Sequence, residues 1–408
     1  MSEGGPSVAA ERAAGWAQGW SLVATAWLAV IATSLISPVL PRMATHFSRV
    51  GHASDLIQFT IALPALFVAV LAAPLGHLAD KVGRRPVLLV ALAAYGVFGM
   101  APLFLDSLPL ILVSRCGVGA AEAAVITAST ALLGDYFQGA SRERWFAAQM
   151  GSANLVAVGV LALGGALGEI SWRAPFVVYA LPFLLAVLVL SLTWEPVRAP
   201  AHADGAARAT GPDGGGLAWR RLLLSSAVTA FGSMAFYVVV IQFSFIMTSR
   251  GYASPAQIGM GAALAAVGVP VGSVAFRMLA KVGVALKLLI AFMVAAVGFV
   301  LIALGPTYFA IVLGAAINGL GCGIYLPTLL TSALTGLRLD QRGRGSGIWQ
   351  AAFFLGQFLS PISVIQLSSL FGGTPPAVLF YAALCGVGGL IALSAAAVSS
   401  RSPRDPGE

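Results

Sequence analysis

Arg115 and Glu122 lie seven residues apart in the stretch SRCGVGAAEAA, inside an otherwise apolar run. That spacing is almost two helical turns, so both side chains share one face, about 10 Å apart along the axis. Gly119 sits on the same face, where it would let a neighbour or a ligand approach closely. An ionisable group inside a bilayer costs several kcal/mol and is a functional hypothesis by default. A midplane carboxyl group is neutral when dry and ionised when wet or paired. A site that alternates between those surroundings can take up and release a proton. Glu122 and Arg115 are therefore the proton-coupling candidates. The alternative is a structural Arg–Glu contact that fastens this helix to a neighbour.

Weaker polar candidates fall at the middles of other apolar runs. Ser233 and Tyr237 share a face by i, i+4, and Asn318 and Tyr325 share one by i, i+7. With Asn154, Gln58, Gln357 and Trp349 they are the candidates for a substrate cavity. In lipid such groups serve as often in interhelical hydrogen bonds. No nucleophile–base pair, His/Asp metal cluster or glycine-rich nucleotide loop is found. The chain is thus read as no enzyme and no primary pump, with no catalytic residue, metal or cofactor.

A second concentration of charge is GHLADKVGRRP, Gly76 to Pro86, in a chain with only 9% charged residues. Arg84 can pair with Asp80 or with Asp135. Asp80 can also accept from the start of a helix near Ser346. Gly76 and Gly83 would remove side chains where helix ends touch. The alternative is that Lys81, Arg84 and Arg85 are topogenic charge, and Lys81 and His77 are read that way.

The elements that must position these residues follow from composition. Hydrophobic residues make up 59% of the 408, against about half in a soluble chain. Mean hydropathy is +0.91, so the solvent is lipid. The net charge of +8 does not mark a nucleic-acid partner, because the basic residues fall in small groups between apolar runs. Cys116, Cys322 and Cys385 lie in apolar runs without metal spacing and read as small core residues. The N-terminal stretch lacks the pattern of a cleaved signal.

A bilayer core of about 30 Å needs roughly 20 apolar residues in helix. The first six such runs cover about 20–40, 55–76, 87–105, 109–134, 146–168 and 174–194. The other six cover about 219–248, 256–278, 285–304, 307–337, 346–370 and 376–399. The predicted organisation is an all-α membrane protein with two six-helix halves, 1–194 and 219–408, joined by a linker over 195–218. With both termini inside, four of the 23 basic residues lie outside (Arg42, Arg49, Arg173 and Arg250) and Arg115 lies within a helix. All the others lie inside, a strong positive-inside bias. Lys81-Val82-Gly83 recurs at Lys281-Val282-Gly283, and GVGAAEAA from Gly117 is answered by GLGCGIYL from Gly319. Such parallel repeats place a cavity at the interface of the halves near the midplane. Gly164 and Gly168, and Gly268 and Gly272, form small-xxx-small pairs suited to close helix crossing.

The order G-x-L-A-D-x-x-G-R-R, carried here by Gly76, Leu78, Asp80, Gly83, Arg84 and Arg85, resembles the loop 2–3 signature of the major facilitator superfamily. LLGDYFQGASRERW with Asp135 and Arg142, SWRAPF from Ser171, RGRGSG from Arg342 and GQFLSP from Gly356 resemble further parts of it. The resemblance covers the whole length, and its style is that of bacterial drug and metabolite exporters. It implies alternating access, and a cytoplasmic latch built on the Asp80–Arg84 cluster. Arg115 and Gly119 resemble the helix 4 arginine motif of proton-coupled members. One departure stands out. Antiporters of this group carry Gly-Pro four residues before the Gly-Gly of helix 5, where this chain has Val160-Leu161.

The resulting expectation is a monomeric, multi-pass secondary transporter of the bacterial inner membrane. It would export a small apolar or amphipathic solute, coupled to protons. The cavity candidates lack the dense amides and acids that a polyol needs and the paired arginines that an anion needs. A uniporter or importer on the same fold is the alternative, and a non-transporting sensor or scaffold is the rival of another class.

Overall fold

A computed structural model of the chain describes residues 14–196, 215–335 and 337–401. The expected linker lies for the most part outside the described residues, as does the side chain of Arg342. Among the described residues, twelve helices are long and apolar enough to cross a membrane. In the first half they are α1 Trp16–His46, α2 Ala53–Val82, α3 Arg84–Leu103, α4 Leu108–Tyr136, α5 Gly139–Ile170 and α6 Ala174–Leu192. In the second they are α7 Trp219–Ser249, α8 Pro255–Met278, α9 Val284–Leu304, α10 Tyr308–Leu334, α11 Gly343–Phe371 and α12 Thr374–Ser394. The helical backbone of α11 already begins at Leu339, not near Ser346. Hydropathy misses that first turn because it is polar.

α1 and α8 are interrupted within their length, and proline accounts for the later break of α1 and for that of α8. α1 runs as Trp16–Thr25, Trp27–Ser34, a 3-10 turn Ser37–Val39 and Leu40–His46. Pro38 and Pro41 each remove a backbone donor there. α8 breaks between Ala266 and Gly268, four residues before Pro270, whose ring meets the carbonyl one turn back. The α2–α3 turn is a single residue, Gly83, at φ +119°, a conformation that disfavours any side chain. At Gly76 a methyl group would make only ordinary contact with Thr127, 3.8 Å away. Close approach of helix ends therefore does not require glycine at Gly76.

Each half has its own apolar core, one around Leu92, Val118 and Leu132, the other around Phe292, Phe299 and Cys322. Tyr237 and Ile241 of α7 belong to the first core, so α7 reaches across the boundary. Glycines set the tightest crossings. Gly164 packs on the Leu35 carbonyl of α1, and Gly168 on Val39 and on Pro255 of the other half. Gly268 and Gly272 pack on the Ala316 and Leu320 carbonyls of α10. A side chain at any of the four would overlap these atoms.

Candidate functional site

The bundle has two ends. The basic end holds the turns at Gly83 and Gly139, and the opposite end holds those at His52 and Gly251. The contacts joining the halves gather toward the opposite end. A methyl group on Gly259 of α8 would lie 2.7 Å from the Gly165 Cα of α5. The Gln242 amide of α7 donates to Gln58 Oε1 of α2 at 2.6 Å, and Ser37 Oγ of α1 donates to the Val240 carbonyl at 2.6 Å. Arg42 donates to Glu169 Oε2 at 2.7 Å and to the Gly168 carbonyl at 2.7 Å. Glu169 Oε1 in turn accepts from Ser254 Oγ and from the Ala256 N–H at 3.1 Å. A carboxylate of one half thus caps the first turn of α8 in the other half, where anions are favoured. The second segment of α8 scarcely touches α5, so the halves are sealed at this end and part toward the basic end.

Glu169→Ala removes the shared acceptor of that clasp. One such hydrogen bond contributes about 0.5–1.5 kcal/mol net, so the population open at this end should rise roughly two- to tenfold. An impermeant thiol reagent, added from the sealed side to a cysteine placed at Val239, reads the change as faster labelling. Unchanged labelling would show that Glu169 takes no part in the seal.

A cavity of about 130 Å³ lies between the halves, walled by α1, α5, α7, α8 and α10. Its wall is mostly alanine with Phe236, Val239 and Phe243 of α7, and its polar groups are Ser34, Ser37, Asn154 and Asn318. Each half thus supplies one carboxamide, and no charged side chain lines the wall. Asn154 Nδ2 donates to the Met150 carbonyl at 3.3 Å and Asn318 Nδ2 to that of Ala295 at 3.2 Å. Asn318 Oδ1 also accepts from Cys322 Sγ at 3.7 Å.

The other six cavity candidates do not line this wall. Ser233 Oγ donates to the Phe353 carbonyl and Tyr325 OH to that of Gly232, bonds that hold the second half together. Gln58 belongs to the seal. Gln357 Oε1 and Trp349 Nε1 are buried without a hydrogen-bond partner among the described residues. Tyr237 stands in the first-half core, within electrostatic reach of Glu122.

Arg115 and Glu122 are both buried, at 0% and 3% exposure. No ion pair joins them or ties either to another charge among the described residues. Arg115 is stabilised in another way. Its Nη2 donates to the Phe98 and Gly99 carbonyls at the end of α3, at 2.9 and 3.0 Å. Its guanidinium also lies over the Phe176 and Tyr179 rings, 5.3 and 5.1 Å from their centroids, where the ring quadrupole favours a cation. Gly119 faces the Pro64 backbone of α2, which leaves no room there for a side chain. Glu122 Oε2 has no hydrogen-bond partner among the described residues.

At the basic end Arg84 donates to Asp135 at 2.5 Å, to Asp80 at 3.0 Å and to the Ala131 carbonyl at 3.2 Å. It thereby ties α2, α3 and α4 together. Glu195, the first residue of the expected linker, joins this cluster. Its carboxylate accepts from the Arg84 and Arg85 N–H groups at 2.9 and 2.8 Å and caps α3. Arg85 adds a bond to the Leu190 carbonyl at 2.6 Å. The Tyr136 ring stacks on Trp194 beside it, 4.8 Å between centroids. The cluster therefore includes α6 as well.

Comparison with known proteins agrees with this geometry. The family model described as Major Facilitator Superfamily matches residues 22–361. The class G tetracycline resistance protein of Vibrio anguillarum is 34% identical over 167 residues, 39% of this chain and 41% of that protein. The chain thus matches about two-fifths of the length of that relative. The multidrug efflux protein YfmO of Bacillus subtilis (strain 168) is 24% identical over 372 residues, 88% of each chain. Among solved structures, a bacterial homologue of the human lysosomal transporter Spinster, inward-facing and unoccupied, superposes with a TM-score of 0.77 at 17% identity. That match covers 96% of this chain and 98% of the other. A D-xylose–proton symporter gives a TM-score of 0.76 at 15% identity, covering 92% and 97%.

Proposed function

The chain belongs to the major facilitator superfamily of transporters, and we propose that it exports a small, uncharged, apolar or amphipathic solute in exchange for protons. It is a multi-pass membrane protein and not an enzyme. We place the basic end in the cytoplasm of a bacterial inner membrane, on the positive-inside bias. The described conformation is then inward-facing.

One observation carries the proton part. Glu122 is the one buried acid among the described residues; its Oε2 has no partner among them, and the side chain lies within electrostatic reach of Tyr237 from the other half. Rocking of the halves would change its surroundings directly. The cavity wall supports the solute class, since it offers apolar contact and two carboxamides but no counter-charge. Its volume of about 130 Å³ is close to the roughly 150 Å³ of a cavity that holds a benzene ring. Relatives named for tetracycline resistance and multidrug efflux support the outward direction.

The test is solute flux in proteoliposomes under an imposed pH gradient. Uncharged ring-bearing amphiphiles should accumulate against their own gradient, while sugars and phosphate should not. Flux of those solutes that ignores the pH gradient would leave a uniporter instead.

A further inference from the structure

The proton candidate and the cavity do not touch, and Glu122 is absent from the cavity wall. Some element must carry the state of one to the other. Helix α7 is near both, with Tyr237 within electrostatic reach of Glu122 and Phe236 on the wall, and helix α1 is joined to the surroundings of both through two tyrosines. The Tyr95 hydroxyl of α3 donates to the Leu28 carbonyl at 2.6 Å, and the Tyr179 hydroxyl of α6 donates to the Ala32 carbonyl at 3.4 Å. Ala32 lies in the last turn of the Trp27–Ser34 segment, where carbonyls lose their intrahelical donors. Just beyond it come Ser34 and Ser37 of the cavity wall, then Arg42 of the seal. The two tyrosine rings stack on each other, 5.7 Å between centroids, and Tyr179 lies against Arg115.

We propose that Tyr95 and Tyr179 are positioning residues that transmit the charge state of Glu122 to α1, and through α1 to the cavity and the seal. The titratable groups around Glu122 are Tyr95 on α3, Tyr179 on α6 and Tyr237 on α7, all within electrostatic reach, with Arg115 about two turns away on its own helix. Both α1-binding hydroxyls lie in the field of Arg115 and of Glu122. A nearby cation makes a hydroxyl a better donor and a nearby carboxylate makes it a poorer one. A proton on Glu122 removes the opposing field and tightens the grip on α1. The sealed arrangement, in which both bonds are made, is then favoured. Loss of the proton loosens α1 and favours opening of the seal.

This inference rests on Glu122 as the proton site, so its test separates the two. Spin labels at Ser48 and Ser249, both exposed at the sealed end, report the distance between halves by electron–electron resonance. The full chain is used with Cys116, Cys322 and Cys385 replaced. With both tyrosines present, Glu122→Gln should raise the sealed-to-open ratio about threefold to tenfold, the range one buried hydrogen bond gives. In the Tyr95→Phe, Tyr179→Phe background the same substitution should leave the ratio unchanged. An unreduced shift in that background would overturn the tyrosine route while keeping Glu122 as the proton site. A loss of thermal stability with the shift intact would make the tyrosines structural only. No shift in either background would remove the proton reading and this inference with it.

Discussion

Glu122→Gln abolishes solute movement driven by a pH gradient and leaves solute counterflow in place: this is the largest expected effect. Glutamine keeps the size and the hydrogen-bonding capacity of the side chain but cannot take or release a proton. Counterflow exchanges solute for solute and needs no net change of protonation. The geometry argues against a structural Arg–Glu contact as the role of Glu122. Arg115 is fastened by two carbonyls and two rings, not by Glu122. A glutamine therefore breaks no ion pair among the described residues, and a collapse of the fold is not expected. The check is uphill flux and counterflow on matched amounts of reconstituted protein. Full pH-driven flux in Glu122→Gln would move the chain to the uniporter reading.

Arg84→Ala is the second large effect. The guanidinium serves Asp80, Asp135 and the Ala131 carbonyl at once, with 21% of its side chain exposed. Removing it leaves two carboxylates facing each other without their shared cation, and like charges at close range are strongly unfavourable. α2, α3 and α4 then lose their common tie while Glu195 still caps α3. Turnover should fall by roughly fivefold to tenfold, since Asp80 is 56% and Asp135 32% exposed and two such solvent-screened pairs are together worth about 1 kcal/mol or slightly more. Insertion into the membrane should persist. Arg84→Lys should recover part of the rate, since it restores charge but not the fork that serves two acids. Initial rates normalised to inserted protein decide the matter. Normal transport in Arg84→Ala would reduce this cluster to topogenic charge.

Much of this architecture was legible because lipid makes span length a sequence property. Twelve apolar runs and one charge-dense turn were enough to place α1 to α12 and the Arg84 network. Glycine spacing located the crossings at Gly164, Gly168, Gly268 and Gly272. The cavity was harder to read. A helix that is apolar all round gives no phase, so hydropathy does not say which face of α7 looks inward. Phe236 and Phe243 line the wall, yet they read like any other phenylalanine. Ser233 and Tyr325, polar at mid-helix, turned instead to carbonyls of neighbouring helices. Ser34 and Ser37 carried a usable signal, since serine beside Pro38 marks a break in α1 where side chains and carbonyls are both free to bond. Glu195 and Glu169 were passed over because acids at helix ends read as solvated. Only the fold brings the first onto the start of α3 and the second onto the start of α8 in the other half.

The central claim is that solute moves against protons through Glu122, and proton movement itself tests it most directly. Liposomes containing the reconstituted protein and a trapped pH dye are prepared with equal pH on both sides. An uncharged ring-bearing solute is then imposed as the only gradient. Wild-type protein should drive protons in the direction opposite to the solute, at a rate proportional to the solute gradient. Glu122→Gln should give the baseline of protein-free liposomes. Solute flux in the wild-type protein with no accompanying proton movement, or equal proton movement in Glu122→Gln, would contradict it.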